Sequence, residues 1–189
     1  MKQRLNQFRR DQDGVQSIEI ALMFPLLAWG FLACYIFFDA YRERALNIRM
    51  ADTIADIVSR EVNPVDDSYI DGMYRLQKTL TRSKTTPTLI ISSITYDLDN
   101  TQYLVEWSEA RGGSIPLPTG AIGDTQISDR LPIMSDGDTI VLVQTKSDFQ
   151  PFFNIGMSGF DLNEFVAARP RSGRICFDTC PASPDDPII

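Results

Sequence analysis

The feature that most constrains this chain is an apolar run from Val15 to Phe38, 24 residues whose one charge is Glu19. A helix needs roughly 20 apolar residues to cross a bilayer, so the run is long enough. A carboxylate at the centre of such a segment costs about 2.5–3.5 kcal/mol, so Glu19 needs a reason to be there. The run is too long for the apolar core of a conventional secretory signal and lacks an Ala-x-Ala exit, and it therefore reads as a retained transmembrane helix. Pro25 lies within it and predicts a modest kink, since membrane helices tolerate proline where neighbours re-satisfy the freed carbonyl.

Helical periodicity continues past the apolar run. Leu46, Met50, Ile54, Val58 and Val62 recur at i+4 steps with Ala51, Ala55 and Ile57 beside them, and no glycine or proline intervenes before Pro64. The spacing predicts one helix of about 48 residues, roughly 70 Å long, apolar all round at first and amphipathic afterwards. Its stripe fits a seam against the chain's own β-domain or a seam against a partner helix.

Beyond a turn at residues 63–67, Ser68 is placed to cap a second helix over residues 68–83. The period then switches to alternation. Thr88–Tyr96 and Gln102–Ser108 read as a hairpin around Asp97-Leu-Asp-Asn100, Thr139–Thr145 as a further strand, and Arg174–Phe177 as a short last one. Residues from Arg111 to about 130 read as a long Pro- and Gly-containing loop. The fold class is α+β: a long N-terminal helix packed on a small antiparallel sheet with one extra helix. The chain divides into residues 1–14, a span over 15–38, a helical continuation over 39–63, an α+β domain over 64–180, and a proline-rich tail over 181–189.

Charge and composition narrow the function. The chain is net −7; residues 1–14 are net +2 and the remainder −9, which argues against a nucleic-acid partner. Histidine is absent from all 189 residues, removing His triads and His metal ligands. Four cations before the span (Lys2, Arg4, Arg9, Arg10) against three after it (Arg42, Arg44, Arg49) give a weak positive-inside bias. Cys34, inside the run, reads as a small buried hydrophobe or, less well, as a lipidation site. Cys176 and Cys180 allow a local disulfide in an oxidising compartment, against free thiols or half a metal site. Asp97/Asp99 and Asp136/Asp138 lie in predicted turns, where they build the backbone turn or bind calcium. Arg169, Arg171 and Arg174 form a small basic patch, read as a solvated loop or as a surface for an acidic neighbour. No motif calls for a cofactor or marks an enzyme.

The segment Phe8-Arg-Arg-Asp-Gln-Asp-Gly14-Val-Gln-Ser-Ile-Glu19-Ile-Ala-Leu-Met-Phe-Pro25 resembles the opening of TadE/TadG-like minor pilins (pseudopilins) of the tight-adherence, Flp-type pilus system. The hairpin carrying Trp107, the Ser-Asp-Gly-Asp-Thr strand entry and the Arg-Pro-Arg segment are loosely similar too. The resemblance implies a pilin-like fold and cleavage by a prepilin peptidase between Gly14 and Val15, which makes Glu19 the fifth mature residue. It further implies an inner-membrane protein, N-terminus cytoplasmic and C-terminal domain periplasmic, that assembles with other minor pilins and the major Flp pilin and is not an enzyme. A mature chain starting with Val15 departs from the N-terminal phenylalanine of many type IV pilins. The alternative is an uncleaved single-pass protein with a periplasmic ligand-binding or sensor domain.

Overall fold

The computed structural model describes residues 15–81, 86–153, 156, 158–171 and 173–179. It is α+β. Helix α1 runs Val15–Ser59, through Pro25. It stops short of the expected Val62 because Pro64 biases Asn63 away from helical backbone. In addition, Glu61 Oε1 accepts from the backbone N–H groups of Val62 (3.2 Å) and Asn63 (3.4 Å), giving them a non-helical partner. Val62 is consequently exposed and leaves the apolar stripe.

Helix α2 spans Asp67–Leu80. Its N-cap is Asp66, not Ser68: the Asp66 carboxylate accepts from Tyr69 N at 2.8 Å, and the Ser68 hydroxyl donates to that carboxylate. An aspartate one turn ahead of Tyr69 reaches the open amide directly, so the helix starts earlier than the serine suggested.

Strands β1 (Thr88–Asp97), β2 (Gln102–Arg111), β3 (Gly120–Ala121), β4 (Thr139–Phe149) and β5 (Phe160–Ala168) form one sheet in the order β3-β2-β1-β4-β5, antiparallel throughout. β1 and β4 are central and β-branched, as a doubly covered strand requires. Strand β5 was not foreseen. It pairs with β4 from Phe149↔Phe160 to Val141↔Ala168. Conversely, Arg174–Phe177 is not a strand; Phe177 makes a lone parallel bridge to Val65, and Val65 N donates to Cys176 O at 2.9 Å.

Period-2 alternation sends side chains to two cores. On one face Met50, Ile54, Ala55 and Val58 of α1 and Ile70 of α2 pack with Leu89, Ile91, Val141 and Val143. On the other, Ile94, Val105, Ile140 and Leu142 lie beneath Leu131 and Met134. Leu117, Ile122 and Ile127 of the segment read as a loop also pack on this second face, and that segment contains β3 and a short helix, α3 (Thr125–Ser128), capped by Asp124. Arg111 ties α2 to β2, its guanidinium donating to Asp67, Asp71 and Glu109. Gly112 follows with φ +80°, and a Cβ there would sit 2.2 Å from Pro87 O, so the strand can end this way only with glycine.

The chain divides into two compact units, Met1–Tyr41 with Pro151–Ser158, and Arg42–Gln150 with Gly159–Ile189. From Arg42 onward α1 therefore belongs with the sheet.

Candidate functional site

The first part of α1 is apolar on every side and mostly uncovered. Ile18, Leu22, Phe24, Leu26, Leu27, Trp29 and Phe31 are each more than half exposed, and successive residues on a helix point about 100° apart. So large a continuous apolar surface is far beyond what a soluble monomer shows. This helix is long and apolar enough to cross a membrane. Glu19 is exposed in its second turn, four residues after Val15 and so on the same side of the helix as that position. Gly14 lies outside the described residues. Cys34 is a free thiol and exposed, and the burial expected for it is absent because none of the described residues covers the helix there.

A second feature lies at one end of the sheet. The β1–β2 register slips between Ser93 and Ile94, whose partners are Trp107 and Val105, leaving Glu106 as a bulge. Strict alternation would put Glu106 and Trp107 on opposite faces. The bulge brings both to the α1 face. There Trp107 Nε1 donates to Ile175 O (2.8 Å), and Glu106 accepts from Thr95 Oγ1 (2.6 Å) and Arg174 Nε (2.8 Å). Nearby, Arg169 Nη2 donates to Asp138 Oδ2 (2.6 Å), and Thr95, Thr139 and these charged residues line a cleft of about 450 Å³. Arg171 reaches Asp56 at 3.6 Å. The three arginines read as a basic patch are therefore each matched by a carboxylate. Exposed pairs of this kind contribute about 0–1 kcal/mol each, so their main effect is to fix the 169–174 segment across the sheet end.

The paired aspartates act in turns. Asp97 accepts from the backbone and side-chain amides of Asn100, bonds that hold its carboxyl below the ordinary carboxylate range. Asp136 accepts from Leu98 N (3.0 Å) and Asp138 from Ser135 N (2.9 Å), so each joins or closes a loop with its side chain. Among the described residues no group of three His, Cys, Asp or Glu side chains is placed to hold a metal ion. Cys176 is disulfide-bonded, and its expected partner Cys180 lies outside the described residues.

Glu106 as a bulge residue and the α1-facing role of Trp107 escaped the sequence reading. A glutamate beside a tryptophan inside an otherwise alternating strand was the available signal. No family model, curated protein or solved structure matches this chain.

Proposed function

We propose that this chain is a TadE/TadG-like minor pilin, a structural and non-enzymatic subunit in the assembly of a Flp-type pilus for surface attachment. In this reading a prepilin peptidase cuts between Gly14 and Val15, and residues 15–38 hold the subunit in the inner membrane. The pilin-like body stands in the periplasm, and other minor pilins and the major Flp pilin are its partners. The observation that carries the proposal is the exposed, all-round apolar start of α1 with Glu19 in its second turn, continuous in sequence with a second half that Met50, Ile54 and Val58 pack into a core. Cleavage would leave an ammonium at Val15. A neighbouring subunit's Glu19 carboxylate pairing with it offsets the desolvation of both charges and sets the axial register. The test is Glu19→Gln, assayed for membrane insertion and for incorporation into pili. Insertion should persist and incorporation should fail; normal incorporation would remove the pairing role.

The cleft bounded by Glu106, Asp138, Arg169 and Arg174 favours a second reading, an uncleaved single-pass protein whose periplasmic domain binds a ligand. N-terminal sequencing of the protein from cells separates the two: Met1 or Lys2 retained supports the second and excludes the first.

A further inference from the structure

Between Ser17 and Tyr41, two residues of α1 are buried, Ile36 (3% exposed) and Ala40 (6%), one turn apart on one side. The compact unit that contains this part of α1 also contains Pro151–Ser158, the connection between β4 and β5. From Val15 to Ile36 is 21 residues, about 32 Å of helix, which is close to the roughly 30 Å hydrocarbon thickness of a bilayer. Cover on the helix thus begins one membrane thickness from its start.

Gln150 to Phe160 contains no charged residue in eleven positions and reads Gln-Pro-Phe-Phe-Asn-Ile-Gly-Met-Ser-Gly-Phe. Phe152 and Phe153 meet edge to face at 5.4 Å between ring centroids, yet remain 73% and 48% exposed. On the helix, Tyr35, Phe37, Phe38 and Tyr41 are also more than half exposed around the buried Ile36 and Ala40, and Arg42 and Arg44 follow. Aromatic rings gather at the boundary between headgroups and acyl chains, where an apolar body and a polar surround are both accommodated, and cations just beyond them meet lipid phosphates.

We infer that the β4–β5 connection is a membrane-interface anchor, seating Phe152 and Phe153 in the headgroup–acyl boundary of the bilayer that α1 crosses. The inference rests on α1 being a span. The occupant is lipid, because the patch is exposed, aromatic and uncharged and belongs to the same compact unit as the apolar part of that helix.

The test uses the full chain with Cys34→Ser, reconstituted in phosphatidylcholine–phosphatidylglycerol vesicles. An environment-sensitive fluorophore is attached at Phe153→Cys, with Phe152→Cys as a second placement. Leu27→Cys reports the span and Ile133→Cys, at a 98% exposed position, reports water. Lipids with a quencher high on the acyl chain should remove most of the emission at 153 and at 152, while aqueous iodide quenches them far less than at 133. If 27 is quenched by lipid but 153 and 152 behave like 133, the anchor is wrong and the span stands. If 153 and 152 are shielded from both quenchers, protein covers the patch and the lipid assignment is overturned. If 27 itself is open to iodide, the span fails and the anchor with it.

Discussion

Ile54→Ala tests whether the second half of α1 is a structural layer or a stalk. Ile54 is fully buried and shares a core with Val58, Ile70, Leu89, Ile91 and Val143. Truncation removes three carbons, about 2.4 kcal/mol of transfer free energy at about 0.8 kcal/mol each. The void adds to this, because helix and sheet relax only partly, and substitutions of this type span about 2–5 kcal/mol. Val62→Ala is the internal control. It stands past the helix end at 77% exposure, and changes at such positions stay within about 0.5 kcal/mol. Urea unfolding of the full chain in detergent micelles, followed by tryptophan emission, reads both, with slopes compared so that a lost intermediate is not mistaken for stability. Trp107 packs against the same cluster, which makes it a suitable reporter. The expected result is a large drop in midpoint for Ile54→Ala and almost none for Val62→Ala. Equal, small effects would show that α1 contributes little to the core, and the argument from burial would fail.

Trp107→Phe removes the Nε1 donor to Ile175 O and loosens the packing on Phe177, whose ring centroid lies 5.7 Å away. Urea unfolding followed by far-ultraviolet circular dichroism, since the variant lacks the Trp107 fluorophore, should read a loss of about 1–2 kcal/mol, and an unchanged midpoint would refute the bond's role. Burial, with the Glu61 carboxylate adding to it, pushes the Tyr69 phenol from an ordinary value of 10 up to about 12. Between those values the folded chain keeps a proton that the unfolded chain has released, so this contribution is complete below pH 10 and declines as pH rises to 12. Tyr69→Phe should therefore show a shallower fall in thermal midpoint across that window than the parent; parallel curves would contradict the burial argument. At the acid end, the Asp66 carboxyl is held low, chiefly by the amide of Tyr69. Its capping contribution is present above the ordinary carboxylate range and lost as pH falls through the depressed value. Asp66→Asn, which can still accept the Tyr69 amide, should keep helix α2 and flatten the acid limb of the stability curve; an unchanged limb would contradict the assignment.

The elements that could be read from sequence are those whose local pattern agrees with their burial. The i+4 stripe Met50-Ile54-Val58 and the β-branched runs in β1 and β4 announce helix and strand because both faces or one clean face are covered. Strand β5 was not legible: Asp161, Asn163 and Glu164 give it polar positions on an edge, and its identity comes from pairing with β4. The cap at Asp66 was hidden by a neighbouring serine equally suited to capping. The arginines at 169, 171 and 174 looked like a patch because their partners Asp138, Asp56 and Glu106 lie far away in sequence, and such pairings depend on topology that no local window contains. Glu106 left only a faint trace as a bulge, a glutamate beside Trp107 in an alternating run, because one extra residue changes nothing in composition. The Glu19 motif was the reverse case, plain in sequence, and the role proposed for it lies in assembly rather than in the monomer.

The intact mass of the disulfide-retaining protein purified from cells tests the central claim most directly. The account predicts a chain beginning at Val15, lighter than the full sequence by residues 1–14, and therefore a subunit whose helix starts at a freed amino terminus. A mass that includes Met1–Gly14 would contradict it.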